Sequence, residues 1–355
     1  MRGTESARRA VAPLTETEIR PDHLRAAQHE RFIRDVARLK RRHREFVHVA
    51  CPACGEDDGR SGLRKYGLTY QVCGHCETMY VNPRPTPSIL EWYYATSENY
   101  AYWNSHIFPH SEDARRAKIF KPRAERLIAL CKAFRVRTHT LLEVGAGYGT
   151  FCEEAKKLRL FKKVIAVEPT PSLAQTCRLK GIEVVEKPIE RVRFKPGAVN
   201  VVAAFEVIEH LFSPRDFVRA CAAVVAPGGL LVLSCPNVKG FDLMQLKERS
   251  DTVDVEHLNY FHPVSLRRLV SESGFEVLQI LTPGMLDAEL VRKKALAGEY
   301  SLEPSAFLRR VLLEDWDRLG ASFQEFLAGN NLSSHMWLVA RRPRRRGFRS
   351  KGQRH

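Results

Sequence analysis

From residue 114 onward, short apolar runs alternate with amphipathic stretches. The runs fall at 139–145, 163–168, 182–186, 199–206, 229–235, 275–281 and 336–341, and most are rich in Val, Ile, Leu and Phe. Runs this short and this β-branched predict buried strands. Between the first six, apolar positions recur at helical spacing over 151–160, 172–180, 214–225 and 264–273, and a further helix is expected over 114–134. Strands alternating with helices in this way predict an α/β fold built on a mostly parallel sheet. Ligands of such sheets bind beyond the carboxyl ends of the strands. Residues 286–331 separate the last two strands and read as a helical insertion, with Leu302, Val311, Leu312 and Trp316 among its apolar positions.

The chain ahead of this pattern is different. Residues 1–47 are polar and basic, with helical spacing of Leu24, Phe32, Ile33, Val36 and Leu39 over 22–44. Then come Cys51-Pro52-Ala53-Cys54 and Cys73-Gly74-His75-Cys76, two C-x-x-C knuckles whose separation suits a four-thiolate zinc site. We therefore expect a zinc ribbon over 48–85 with Cys51, Cys54, Cys73 and Cys76 as ligands, an exposed His75, and a hairpin strand over 65–72. The other five cysteines are scattered and read as small buried apolar residues in a reducing compartment. Residues 86–113 form an aromatic-rich connector containing Trp92, Tyr93, Tyr94, Tyr100, Tyr102 and Trp103.

The densest chemistry lies in Glu143-Val144-Gly145-Ala146-Gly147-Tyr148-Gly149-Thr150, at a strand-to-helix junction. Glycines at 145, 147 and 149 allow a sharp turn and a close approach of backbone to ligand. Glu143 precedes the turn and Glu168 closes the next strand, so two acids are available to a nucleoside's hydroxyls. A dinucleotide fingerprint would place its third glycine one residue later, where Thr150 stands. A carboxylate beside the turn also disfavours a pyrophosphate ligand.

This turn resembles motif I of the class I S-adenosylmethionine (SAM) methyltransferases. Four further segments are similar to that family in order: Phe205-Glu206-Val207-Ile208-Glu209-His210-Leu211, Ala226-Pro227-Gly228-Gly229 with the strand after it, Glu256-His257-Leu258-Asn259-Tyr260-Phe261 with Gly274-Phe275, and His335-Met336-Trp337. The resemblance implies a seven-stranded Rossmann-like sheet over 114–341 whose last strand is antiparallel. It implies SAM as cofactor, held by Glu143, Gly145, Ala146, Gly147, Gly149, Glu168, Pro169, Ile189, Phe205 and Glu206. Where the family often has an acid near the adenine, this chain has Pro188, which leaves backbone at Ile189 and apolar walls. His210 is the expected base, Glu209 its neighbour and His257 a second base. Quinone-type members of the family imply a divalent ion at Glu206, Glu209 and His210. The ribbon resembles one found on some sugar-modifying members, which implies a small polar acceptor such as a sugar or glycoconjugate hydroxyl.

Composition modifies this picture little. The 355 residues carry a formal charge of +16, of which +8 lies in residues 341–355 and +5 in residues 1–47. The basic ends, including a disordered tail at 342–355, are the one argument for an RNA substrate gripped by ribbon and tails. The Asn/Asp-Pro-Pro-Tyr/Phe motif frequent in base methylation is absent, Cys235-Pro236-Asn237 standing at that strand end. A non-catalytic ribbon scaffold is the third reading, opposed by the intact glycine turn. No apolar run at the N-terminus or elsewhere reads as a signal or membrane span, so the expected location is cytoplasmic.

Overall fold

The computed structural model describes residues 14–344. The first long helix is Asp22–Arg41, which buries Leu24, Phe32, Val36 and Leu39 along one face. Strands β1 (Gly59–Lys65), β2 (Leu68–Cys73) and β3 (Met79–Val81) then form an antiparallel meander. The single strand expected over 65–72 is in fact a hairpin tip followed by a strand. Tyr66 and Gly67 both take left-handed backbone (φ 52° and 81°), as a two-residue hairpin turn requires.

The connector is helical. Thr86 caps the helix Pro87–Thr96 by accepting from the Ile89 N–H. A continuous helix runs over 98–133, starting well before the expected residue 114. It widens at Trp103–Ile107 and at Arg116–Phe120, in each case just ahead of a proline, Pro109 or Pro122. Proline lacks the N–H that an ordinary turn would use, and a widened turn absorbs that loss.

The remaining strands are β4 (Thr140–Val144), β5 (Lys163–Val167), β6 (Glu183–Val185), β7 (Val199–Phe205), β8 (Val225–Pro236), β9 (Asn259–Tyr260), β10 (Glu276–Leu281) and β11 (His335–Arg341). Seven of them make one sheet in the order β10-β11-β8-β7-β4-β5-β6. Pairing is parallel from β8 to β6, and β11 runs antiparallel to both β8 and β10. The expected seven-stranded Rossmann-like sheet is thus present, reversed last strand included.

Helices cover both faces, which is why β4 and β7 are almost wholly buried. On one face Leu142 and Val144 pack with Phe217, Val218 and Leu266 from the helices Pro214–Val224 and Pro263–Glu272. On the other, Leu141 packs with Leu127, Phe151 and Cys152. Cys51, Ala53, Cys73 and Tyr80 belong to the first of these cores, so the ribbon is built into the sheet's packing. The pairing of β3 with β9 reinforces this, giving a second sheet of order β1-β2-β3-β9. Residues 286–331 form helices around their own cluster of Val291, Leu302, Val311, Leu312 and Leu327. Among the described residues no helix is long and apolar enough to cross a membrane. Most of the basic tail lies outside the described residues.

Candidate active site

The carboxyl ends of β4, β5, β7 and β8 open into a cavity of about 840 Å³. That lies within the usual range of small-molecule sites. Its floor is the turn after β4, where Gly145, Gly147 and Gly149 have φ of 73°, 53° and 77°. The three glycines do different things. A side chain at Gly145 would sit 2.4 Å from Val207 Cγ2, and one at Gly149 would sit 2.8 Å from Ile182 Cδ1 and 2.9 Å from Cys177 Sγ. At Gly147 nothing lies within 4 Å, so this glycine alone of the three faces open space. Gly149 is the residue before the helix Thr150–Lys157 and packs behind the cavity rather than lining it.

Glu168 binds the turn to β5. Its Oε2 accepts the Gly147 N–H at 2.8 Å and its Oε1 accepts the Thr170 N–H at 2.9 Å. Burial raises the Glu168 carboxyl above its ordinary value, and the two N–H groups oppose that only in part. Glu143 accepts the Cys152 thiol at 2.9 Å. Burial pushes Glu143 up to about 8, so without a ligand it is largely protonated at neutral pH. Ala146, Pro169, Ile189, Phe205 and Glu206 also line the cavity, so every expected cofactor contact except Gly149 reaches it.

His210 and His257 stand on its wall with ring centroids 4.6 Å apart. His210 Nδ1 lies 3.1 Å from the Glu256 carbonyl and 3.2 Å from the Tyr94 hydroxyl. His257 Nδ1 lies 2.7 Å from the Thr252 carbonyl. A carbonyl can only accept, so both Nδ1 atoms carry a hydrogen, and in a neutral ring that leaves the lone pair on Nε2. Burial, helped by the neighbouring His257, holds His210 well below its ordinary value, which keeps it neutral.

Beside them Glu209 is 0% exposed, and neither carboxylate oxygen has a partner among the described residues. Burial first, then the charge of Glu206, pushes its carboxyl well above the usual range. Glu209, His210 and His257 can each bring a ligand atom within 4.8 Å of the others. An orphaned carboxylate next to two imidazoles fits a divalent cation. The triad differs from the expected one, since His257 takes the place of Glu206. Glu206 is held instead by the Ser234 hydroxyl at 2.5 Å, with His335 Nδ1 at 3.4 Å and Arg123 at 3.9 Å. Burial raises its carboxyl, but these three neighbours outweigh burial and leave it below its ordinary value.

Both histidine loops are positioned by residues that sequence reasoning missed. Arg84, 0% exposed, donates to the carbonyls of Val81, Phe212 and Leu258 and to Asn259 Oδ1, at 3.0–3.3 Å. Asn259 Nδ2 in turn lies 2.8–3.3 Å from the carbonyls of Ile208, Glu209 and Leu211. Tyr93 and Asn99 of the connector donate to Glu256. No spacing marks Arg84 as special; its only signal is a charge three residues past the apolar strand β3.

The four cysteines converge. Cys51 and Cys76 sulfurs are 3.5 Å apart, as are those of Cys54 and Cys73. A tetrahedral thiolate site with Zn–S near 2.3 Å has sulfur–sulfur edges of about 3.8 Å, so the geometry fits zinc. His75 is exposed and the five remaining cysteines are buried, both as expected.

Comparison with known proteins agrees with this construction. The profile described as "Methyltransferase domain" matches residues 113–280. The ubiquinone biosynthesis O-methyltransferase of Xanthomonas campestris pv. campestris is 34% identical over 104 residues, 27% of this chain and 43% of that protein. The chain therefore spans less than half the length of these curated relatives. A probable S-adenosylmethionine-dependent methyltransferase of Mycobacterium tuberculosis is 27% identical over 209 residues, 53% of this chain and 72% of that one. Among solved structures, a SAM-dependent methyltransferase of Thermotoga maritima is similar with a TM-score of 0.44, at 15% identity over 68% of this chain and 99% of that one. The profile marks residues 113–280 as a methyltransferase domain, and the seven-strand order and the glycine turn agree with the class I SAM-dependent fold, preceded by a four-cysteine ribbon.

Proposed function

We propose that this protein transfers the methyl group of SAM to a hydroxyl of a small polar acceptor, on a sugar or glycoconjugate. The observation that carries the reading is a pair of histidines, the neutral His210 with His257 beside it, on the wall of the cavity that the glycine turn floors. Gly147 lets the donor lie against the turn, and Glu168 and Glu143 receive its hydroxyl and ammonium groups. A sulfonium is already an activated leaving group, so the site must mainly hold donor and acceptor in line. The acceptor hydroxyl is a poor nucleophile until it loses its proton. Neutral His210, or His257 beside it, accepts that proton as the carbon–oxygen bond forms. A divalent cation, if held by Glu209, His210 and His257, would supply positive charge that makes the acceptor hydroxyl more acidic.

On this reading Cys51, Cys54, Cys73 and Cys76 hold a structural zinc ion. The ribbon (48–85) and connector (86–113) brace the catalytic loops, and the insertion (286–331) caps the cavity, contributing Leu286, Asp287 and Leu290 to its lining. The basic N-terminal segment (1–47) packs its helix on the connector, Gln28 donating to Asn99 and Arg34 to Glu98. The RNA alternative rests on the basic ends, of which residues 1–13 and 345–355 lie outside the described residues, and no observation on the described part favours it.

The test is incubation with methyl-labelled SAM and source extract, with and without a chelator. Label in the glycan or small-metabolite fraction supports the proposal. Label in RNA refutes the acceptor class. Loss of activity on chelation, with a folded protein restored by one divalent ion, assigns the triad to a cation rather than to free bases.

A further inference from the structure

The mechanism above leaves two half-buried guanidinium groups unused. Arg123 and Arg126 stand three residues apart on the helix Lys121–Ala133 and so share one face. Both line the cavity. Arg123 lies over the Phe205 ring at 4.8 Å and Arg126 over the Trp337 ring at 4.8 Å, and those two rings stack with centroids 5.3 Å apart. Arg123 is 17% exposed, and its nearest carboxylate, Glu206, is 3.9 Å away. Arg126 has no hydrogen-bond or carboxylate partner among the described residues. Burial of Arg126 lowers its value below the ordinary one, as expected for a cation without a counter-charge. A guanidinium carries five donors in a fixed fork that matches a carboxylate or phosphate.

The sheet order says which ligand these donors face. The donor's adenosine half is bounded by Glu168 after β5 and Ile189 after β6. Arg126 sits above Trp337 of β11, three strands from β4 on the opposite side, about 14 Å away at the usual strand spacing. That half of the cavity, with Pro236, His335 and Trp337, is where the acceptor must lie.

We propose that Arg126, with Arg123 beside it, is an anion subsite that receives a carboxylate or phosphate group of the methyl acceptor. The acceptor is then an acidic small molecule, its anionic group clamped on the Phe205–Trp337 side and its hydroxyl presented toward His210. The proposal rests on the methyltransferase reading for the placement of the donor.

The test uses the full chain loaded with S-adenosylhomocysteine (SAH), the demethylated donor, in a calorimeter. Inorganic phosphate and benzoate are titrated as anionic probes and benzyl alcohol as the neutral counterpart of benzoate. Saturable binding of at least one anion, none of benzyl alcohol, and a tenfold or greater loss of anion affinity in Arg126→Gln are expected. Arg126→Lys should recover part of the affinity, since it restores charge without the fork. Absence of saturable anion binding, equal binding of the alcohol, or an unchanged Arg126→Gln would each overturn the proposal. A second arm compares SAH with 5′-methylthioadenosine, which has no carboxylate. If Arg126→Gln weakens SAH alone, the group received is the donor's own carboxylate and the acceptor assignment fails. If the wild type does not bind SAH, the methyltransferase reading fails first, and anion titration of the unliganded chain still reads the subsite.

Discussion

Gly147→Ala separates ligand binding from folding in a way that can be worked out from the turn itself. Gly147 has φ of 53° and open space where a Cβ would go. Left-handed backbone costs an ordinary residue about 1–2 kcal/mol, and no clash adds to that. Gly149→Ala is the matched control. It carries the same backbone penalty at φ 77°, and its Cβ would press on Ile182 and Cys177 at 2.8 and 2.9 Å, which overpacking adds to by about 1–3 kcal/mol. The expected order of stability is wild type, then Gly147→Ala, then Gly149→Ala. The expected order of donor affinity differs. The methyl at 147 enters the donor's volume, and affinity for SAH should fall at least about 100-fold, a loss of about 2.8 kcal/mol. Gly149→Ala should keep much of its affinity at temperatures where it is folded. Calorimetric titration with SAH and thermal melts of both variants decide the matter. A Gly147→Ala protein that binds SAH within a few-fold of wild type would refute the placement of the donor against this turn.

Three further outcomes are expected. His210→Gln should cut turnover by about 100-fold or more with SAH affinity nearly intact; unchanged turnover would transfer the role to His257. Glu143 has a folded value of about 8 against 4.5 for the unconstrained group, so the folded state holds its proton more tightly. Its contribution to stability is therefore full below about pH 4.5 and is lost as pH rises through about 8. Glu143→Gln should flatten that part of the melting-temperature profile between pH 5.5 and 8.5, and parallel profiles would count against it. Arg84→Met strips the Val81, Phe212, Leu258 and Asn259 acceptors of a buried donor and should cost about 2–4 kcal/mol. Turnover should fall further than SAH affinity, because the loops Arg84 braces carry the histidines and not the glycine turn. Equal losses in both would reduce Arg84 to a stabilising residue.

The sequence by itself determined the elements of the main sheet, because buried parallel strands must be short apolar runs and their helices must show a 3.6-residue period. It determined the glycine turn and the cysteine knuckles as well, since backbone at positive φ and thiolate convergence each demand particular residues at close sequence spacing. It also singled out Glu143 and Glu168 through their positions at strand ends, and Glu209, His210 and His257 through segments that resemble the methyltransferase family. What it could not contain was the company these residues keep. Glu206 and Glu209 are three positions apart on one loop, yet left-handed backbone at Glu206 (φ 55°) and the Ser234 hydroxyl draw one toward Arg123 and leave the other facing His257. His257 joins His210, Arg84 reaches Asn259, and Arg126 finds Trp337 across gaps of 47, 175 and 211 residues. Local periodicity carries no trace of such pairings; only the closing of the sheet and the pairing of β3 with β9 bring them together.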